Sequence, residues 1–317
     1  MIATVLIAIA AGCASALMFA SIVSGALISL LLFYLAPLPL MVAALGWGPL
    51  SATIGGIAAA TVLGAIFGLP YCIAFVLAAA LPAWWLGHLA LLGRPLAAGT
   101  QPANEAAALE WYPIGRILLW IVLFATIMTT ATLLTMGSDG PAITAAMRSA
   151  WSHILESVGV TPTDRMLDAL VTIAPAAATI FVMMTLTLNL WLAAKITATS
   201  GRLHRPWPDL RSAALPPLTL PALCAAIAFC FSGGLLAMLA QIVTAALLIA
   251  YALTGFAVLH TLTLALKNRA LWLTCTYAIV LIFSWPVLAM VVLGVADALF
   301  GIRQRYLQSR PPPLPAS

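Results

Sequence analysis

Long apolar runs separated by short polar loops dominate the chain. No Asp, Glu, Lys or Arg occurs before Arg94, and most residues up to that point are apolar or small. A helix that spans a membrane needs about 20 mostly apolar residues, and Gly and Pro often mark its ends. The pattern predicts nine hydrophobic segments, at residues 2–20, 26–45, 50–67, 71–92, 113–136, 169–197, 215–232, 235–266 and 271–299.

These segments predict an all-α fold, a polytopic transmembrane helical bundle of about eight to nine hydrophobic helices. Composition agrees, because 64% of the 317 residues are hydrophobic and 7% are charged, whereas soluble domains carry about 25% charged residues. We expect one integral membrane domain over residues 1–300, with a six-helix part at 1–198 and additional helices at 199–300. The basic, Pro-rich residues 301–317 predict a disordered tail.

The formal net charge of +5 comes from basic residues spread over the loops. This distribution follows the positive-inside rule, whereas a nucleic-acid-binding domain carries a dense basic face. Nucleic acid is therefore excluded as a partner, and the lipid bilayer is the expected one. The basic loop at 195–211 is assigned to the cytoplasm and the acidic piece at 137–168 to the outer side. Alternation then places the N-terminus in the cytoplasm, with the chain in a bacterial inner (plasma) membrane.

The last crossings conflict with this rule. Lys267 and Arg269 mark a return to the cytoplasm after the eighth segment, so a ninth full span would leave Arg303 and Arg305 outside. We expect eight crossings with both ends inside and one segment that does not cross. The Pro-rich seventh segment and the ninth, which Pro286 divides, are the alternatives, because irregular backbone at membrane depth is tolerated inside protein.

The outer piece contains a predicted amphipathic helix. Its polar face includes Arg148 and Glu156, and its apolar face carries Ile143, Met147, Trp151, Ile154, Leu155 and Val158. Two interpretations stay open. The helix lies on the bilayer surface, or it is a lid over an outward-facing cavity.

Small and polar side chains inside the segments are the candidate functional residues. Ala8, Gly12 and Ala16 recur every four residues, a spacing that lets two helix backbones approach closely, either for internal packing or for docking of a partner subunit. Polar groups are costly in hydrocarbon and therefore indicate sites. Asn189 and Gln241 are either such groups or interhelical hydrogen bonds, and Asp297 is expected to form a surface pair with Arg303.

Motifs for catalysis and cofactor binding are missing from the sequence. It contains no HExxH, no GxSxG, no phosphate-binding loop and no dinucleotide fingerprint, and its five cysteines lie singly in apolar runs. We predict no enzyme activity, no cofactor and no metal site. Active transport would require an ATPase subunit supplied by another chain.

Five stretches carry a family resemblance: FYLAPLPL at 33–40, GWGP at 46–49, PAWWLG at 82–87, EWYPIGR at 110–116 and RPWPDL at 205–210. Through them nearly the whole chain resembles the DUF2232 (YybS-like) family of bacterial membrane proteins. That family is in turn distantly similar to the substrate-binding S subunits of energy-coupling-factor transporters. The resemblance implies six helices over residues 1–198 with both ends inside. It also implies that Ala8, Gly12 and Ala16 form the ladder by which such subunits dock to a transmembrane partner.

Two functional hypotheses follow. In the first, the chain is a membrane-embedded small-molecule binder or transport component, working with transport-energising membrane and ATPase subunits. Its unknown ligand would lie in the outer half of the bundle, near Ser21, Ser24, Tyr71, Trp151, Asn189 and Gln241. In the alternative, the chain is a non-transporting scaffold or regulator of envelope processes, whose basic loop around Trp207 binds anionic lipid or a cytoplasmic partner.

Overall fold

Helices make up almost all of the described structure, as the sequence predicts. The computed structural model describes residues 2–95, 109–283 and 285–308, except for the side chain of residue 265. Two short strands, β1 (Gly93–Pro95) and β2 (Leu109–Trp111), pair in antiparallel fashion. The α-helices are α1 (Ile2–Ala20), α2 (Leu27–Tyr34), α3 (Pro37–Trp47), α4 (Pro49–Phe67), α5 (Leu69–Phe75), α6 (Leu81–Leu91), α7 (Ile114–Met136), α8 (Gly140–Ser157), α9 (Asp164–Thr199), α10 (Thr219–Phe229), α11 (Gly234–Leu262), α12 (Arg269–Phe283), α13 (Val287–Phe300) and α14 (Ile302–Gln308).

Seven helical stretches in the described part of the chain are long and apolar enough to span a membrane. This confirms a multi-pass all-α membrane protein. Helices α2 and α3 together form one of the seven stretches, as do α5 and α6, which a π-helical segment joins. Helices α13 and α14, bent by 67°, are an eighth candidate. Helices α10 and α12 have 11 and 15 residues, and their lengths of about 16 and 22 Å fall short of a bilayer core of about 30 Å.

Contacts divide the chain into two compact units. The first unit comprises Met1–Pro113, Leu123–Met128 and Phe181–Pro208, and the second comprises Ile114–Val122, Thr129–Ile180 and Asp209–Ser317. Helices α7 and α9 contribute residues to both units. The single membrane domain over residues 1–300 stays a prediction.

Close backbone contact between α1 and α4 organises the first unit. A Cβ atom on Gly12 would lie 2.3 Å from the carbonyl oxygen of Gly55, and one on Gly55 would lie 2.3 Å from that of Ala8. Ala8 is fully buried and Ala16 is 8% exposed. The small-residue ladder therefore packs inside the chain, and its face is not free for a partner subunit.

In the second unit, α12 and α13 form a hairpin beside α11. A Cβ atom on Gly294 of α13 would lie 2.1 Å from the carbonyl oxygen of Tyr251, so α11 and α13 also touch through their backbones. Beyond α13, the Tyr306 hydroxyl donates a hydrogen bond to the carbonyl oxygen of Leu262 at the end of α11, at 3.0 Å. Since α12 begins at Arg269, shortly after α11 ends, both ends of the hairpin lie at the same end of α11. The predicted ninth segment is therefore two helices that turn back near Pro286. The number of crossings and the side of each chain end stay predictions.

Opposite charges lie at opposite ends of the second unit. We call one end the basic end; it carries Arg211, Lys267, Arg269, Arg303 and Arg305. Helix α8 lies at the other end, where a Cβ atom on Gly140 would be 3.0 Å from the backbone nitrogen of Leu235 at the start of α11. The acidic piece and the basic residues of the second unit are thus separated along α11, as the charge pattern requires. Which end faces the cytoplasm stays a prediction.

Helix α8 packs on protein rather than lying on the bilayer surface. Its Ile143 is fully buried and its Met147 is 5% exposed, in a core cluster shared with Leu133, Val171 and Ile242. The surface interpretation is therefore wrong for the first turns of α8, because helices of the same unit cover its apolar face. Only its last turns keep large apolar side chains exposed, such as Ile154.

An arginine fixes α8 to α9 on the polar side. Arg148 pairs with Asp164, at 2.8 Å, and with Asp168, one turn further along α9. Both carboxylates are largely exposed, so these pairs fix the orientation of α8 on α9 but add little to the free energy of unfolding. Helix α8 is thus held as a cover on this end of the second unit.

Residues 302–308 form α14, where the sequence predicted the start of a disordered tail. The prediction was wrong for these residues, because Arg303 is anchored to Asp297 and Tyr306 to the end of α11. Composition alone does not reveal such anchors. Residues 309–317 lie outside the described residues.

Replacing Gly12 by Leu should destabilise the first unit. The new side chain would meet the backbone of α4, which cannot move aside as a side chain can, and overpacking of this kind costs about 1–3 kcal/mol or more. The apparent melting temperature of the purified protein in detergent measures the effect. The control is Ala10→Leu, which adds apolar bulk at an exposed position of the same helix; equal melting temperatures for the two variants would contradict the close contact.

Candidate functional site

The six residues predicted to bind a ligand divide between the two units. Those in the first unit are Ser21, Ser24, Tyr71 and Asn189, and those in the second are Trp151 and Gln241. The Ser21 hydroxyl donates to the carbonyl oxygen of Met18 at 2.7 Å, and the Tyr71 hydroxyl donates to that of Phe19 at 3.1 Å. Both satisfy carbonyl groups at the end of α1, where the helix supplies no donors. Ser24 is exposed, Gln241 is half-buried on α11, and Trp151 packs against the core cluster under α8.

Asn189 stabilises a break between two helices. Pro37 has no N–H and the N–H of Leu38 donates to Leu35, so the carbonyl of Tyr34 loses its helical donor. The Asn189 Nδ2 donates to that oxygen at 2.9 Å. The side chain is fully buried, and its Oδ1 has no hydrogen-bond partner among the described residues. Of the two interpretations of Asn189, the structure supports the interhelical hydrogen bond.

An open cavity of about 940 Å³ lies in the second unit. Small-molecule sites typically enclose roughly 300–1,000 Å³, so this space is large enough for a ligand. It extends along α11 from Tyr251 to Thr261, an axial distance of about 15 Å. Its other walls come from α13, α14 and the segment before α10. The sequence predicted a site in the outer half of the bundle, and none of the residues named for it lines this cavity, which opens at the basic end.

Irregular backbone forms one wall of the cavity. Arg211 lies beside Arg303 at the basic end, whereas the Thr219 hydroxyl is 2.9 Å from that of Tyr251, which stands 11 residues before the end of α11. Residues 213–218 therefore descend along the cavity without forming an α-helix. Non-helical backbone at membrane depth is tolerated where protein buries it or where it lines a cavity.

A nearly buried ion pair closes the rim of the cavity. The Arg303 Nε and Nη2 bond to Asp297 Oδ2 at 2.8 and 2.7 Å, and the two side chains are 11% and 9% exposed. The Arg303 Nη1 also donates to the carbonyl oxygens of Arg211 and Ala213. The pair that the sequence predicted is confirmed, but it is buried and it binds the irregular segment to α13.

The remaining charges of the rim are exposed. The Arg211 Nε donates to Asp209 Oδ1 at 2.8 Å, and this hydrogen bond lowers the pKa of the Asp209 carboxyl below its ordinary value. Asp209 is therefore ionised at neutral pH. Arg305 lines the cavity as well, and within the part of the chain that the structure describes its guanidinium makes no ion pair. Three arginines thus face two aspartates, which leaves the rim with net positive charge.

In the first unit, three cations of the basic loop stack on tryptophans. The pairs, with the distance from the cationic group to the ring centroid, are Lys195–Trp207 (4.5 Å), Arg202–Trp47 (5.1 Å) and Arg205–Trp111 (5.9 Å). Arg205 also donates to the carbonyl oxygens of Ala90 and Tyr112 at 3.2 and 3.1 Å. Burial lowers the pKa of its guanidinium from the ordinary value. These contacts order the loop against the end of the unit.

Sequence reasoning missed the cavity residues Tyr251, Thr254 and Arg305. The first two look like ordinary polar residues of a long apolar helix, and Arg305 was assigned to the disordered tail. One signal was present, because the Pro-rich seventh segment and the divided ninth segment were both identified as irregular. Irregular segments are where membrane proteins place cavities.

No protein-family model, curated protein or solved structure matches the chain. The resemblance to the YybS-like family and to S subunits stays a prediction from the sequence motifs. Among the described residues, no three His, Cys, Asp or Glu side chains are grouped so that they could hold a metal ion.

Asn189→Leu should destabilise the first unit, because it leaves the Tyr34 carbonyl without a hydrogen-bond donor. The change in side-chain volume from Asn to Leu is small. A buried unpaired group costs about 1–3 kcal/mol. Unfolding in mixed micelles with increasing SDS measures the loss. Thr187→Val, which removes only a bond to Met183 within the same helix, is the control and should cost less.

Arg303→Gln should destabilise the second unit, because it leaves the Asp297 carboxylate buried without its partner. Breaking a buried pair costs about 3–5 kcal/mol, and the aqueous end of the bundle places this loss near the lower limit. The same SDS titration measures it, with the exposed Arg165→Gln as the control. If Asp297→Asn does not recover part of the loss in the double variant, the two residues are not coupled as the structure indicates.

Proposed function

We propose that the protein is a multi-pass inner-membrane protein that binds a small molecule in the cavity of its second unit. The observation that carries this proposal is the cavity itself, which is of ligand size and has irregular backbone in its wall. A membrane protein that served only as a helical scaffold would have no need for a cavity of ligand size.

In this proposal the chain is the binding component of a transport system. The described part contains no nucleotide-binding motif, so energy for transport would come from partner ATPase and membrane subunits. The resemblance to S subunits supports such an assembly. The ladder of Ala8, Gly12 and Ala16 is buried, with α4 against Ala8 and Gly12, so an energising partner would dock on another face.

Filling the cavity tests the binding function. Ala298 lines the cavity, and Ala289 lies on the same helix, is exposed and is not part of the lining. We expect Ala298→Trp to lose a small molecule that copurifies with the wild-type protein, and Ala289→Trp to retain it. Native mass spectrometry of gently purified protein measures the bound mass directly.

Two outcomes of that experiment have opposite consequences. Loss of the bound mass from the Ala298→Trp variant alone would support a ligand in the cavity, and copurifying ATPase subunits would support transport. A wild-type protein without any bound small molecule, or equal retention by both variants, would contradict the proposal.

The second candidate function is a scaffold or regulator that contacts anionic lipid or a cytoplasmic protein through the basic loop of the first unit. The stacking of Lys195, Arg202 and Arg205 on tryptophans favours it, because the loop is ordered and cationic. Trp207 is 42% exposed, as expected of a side chain at a membrane interface. Copurification of envelope proteins without a small molecule would favour this function.

A further inference from the structure

The cavity of the second unit combines a charged rim with an apolar interior. The rim carries Arg211, Arg303 and Arg305 together with Asp209 and Asp297, and Gln304 and Gln308 add polar groups beside them. Below the rim the wall is largely apolar, and its side chains include Leu215, Pro216, Pro217 and Leu220. A ligand that fills this space must therefore have a polar end and a long apolar part.

Polar groups deeper in the cavity are already satisfied. The Tyr251 hydroxyl bonds to Thr219, and the Thr254 hydroxyl donates to the carbonyl oxygen of Tyr251 at 2.8 Å. The Thr261 hydroxyl donates to Ala257 within α11. None of these hydroxyls needs a partner from a ligand, so the interior suits a hydrocarbon chain better than a sugar or a peptide.

The rim prefers negative charge at the polar end. Asp297 neutralises Arg303 and Asp209 pairs with Arg211, whereas the guanidinium of Arg305 has no acidic partner among the described residues. A guanidinium binds phosphate or carboxylate oxygens with strong charge-assisted hydrogen bonds. One negative headgroup at Arg305 would balance the charge of the rim.

The opening of the cavity also has apolar side chains that face outwards. Phe300 and Leu307 both line it and are 59% and 53% exposed. Apolar residues at a rim allow a hydrocarbon chain to enter without passing through water. The site is therefore accessible to a molecule that is already in the bilayer.

We propose that the cavity binds an anionic amphiphile, with its phosphate or carboxylate headgroup on Arg305 and its single hydrocarbon chain along α11 toward Tyr251. This inference rests on the proposed function and names the ligand class for the same cavity. It also identifies Arg305 as the residue that selects for charge.

Three probes separate the headgroup from the chain. Oleoyl lysophosphatidic acid carries both, mono-oleoyl glycerol lacks the phosphate, and glycerol 3-phosphate lacks the chain. Each is added to the full-length protein in a neutral detergent, and native mass spectrometry gives the bound fraction against concentration. We expect one lysophosphatidic acid per chain, bound at least about tenfold more tightly than mono-oleoyl glycerol, because a hydrogen bond to a charged group is worth a factor of this size. Glycerol 3-phosphate should also bind more weakly, because it has no hydrocarbon chain to bury in the cavity.

Variants locate the site. Arg305→Gln should weaken lysophosphatidic acid binding about tenfold, Arg305→Lys should restore most of it, and Arg165→Gln at the opposite end of the unit should change nothing. Ala298→Trp should abolish binding, whereas Ala289→Trp should not. The affinity for mono-oleoyl glycerol should be the same in Arg305→Gln as in the wild-type protein.

Failure of this inference differs from failure of the proposed function. Equal binding of lysophosphatidic acid and mono-oleoyl glycerol, lost in Ala298→Trp, would overturn the role of charge and keep the cavity as a binding site. Glycerol 3-phosphate binding as tightly as lysophosphatidic acid would overturn the amphiphile in favour of a soluble phosphate. Binding of every probe unchanged in Ala298→Trp would overturn both proposals, because the molecules would then lie elsewhere.

Discussion

Backbone groups freed at helix breaks have no water to bind inside a bilayer, and this constraint shapes both units. In the first unit, the interruption before Pro37 is stabilised by Asn189, whose amide reaches the Tyr34 carbonyl. The Ser15 hydroxyl adds a bond to the Ala36 carbonyl at 2.6 Å. In the second unit, the Arg303 guanidinium donates to the carbonyl oxygen of Ala213 in the irregular segment and to that of Arg211 just before it. In both cases, a polar side chain from a distant part of the sequence donates the hydrogen bond that the helix itself does not supply.

The same constraint connects the irregular wall of the cavity with the charged residues at its rim. The segment before α10 can leave the helical conformation because a charged residue of α14 satisfies its carbonyl groups at the aqueous end. Arg303 can serve there because Asp297 neutralises it. Arg305, two residues later, is then the cation of α14 without an acidic partner among the described residues, and it faces the space that the irregular segment leaves open. Stability and ligand preference are thus divided between two neighbouring arginines.

Sequence patterns predicted the membrane class, the positions of most helices and the place where the topology becomes irregular. The charge rule indicated an irregular seventh or ninth segment without deciding between them, and the contact between Tyr306 and Leu262 shows that the chain turns back near Pro286. The four-residue spacing identified Gly12 as a packing residue, yet spacing does not name the helix that it meets. Asn189 was recognised as unusual, whereas its partner is a carbonyl 155 residues away. The cavity could not be predicted, because its walls come from three separate parts of the chain and Arg305 stood in a segment whose composition suggested disorder.

The bond between Arg303 and the Ala213 carbonyl spans 90 residues of sequence, which has a consequence for synthesis at the ribosome. The irregular segment enters the membrane long before the arginine that satisfies it has been made. Until then its carbonyl groups must be satisfied by water or by the insertion machinery. The contacts that α14 makes in the second unit can therefore form only late, whereas α1 and α4 of the first unit can associate as soon as both have been made.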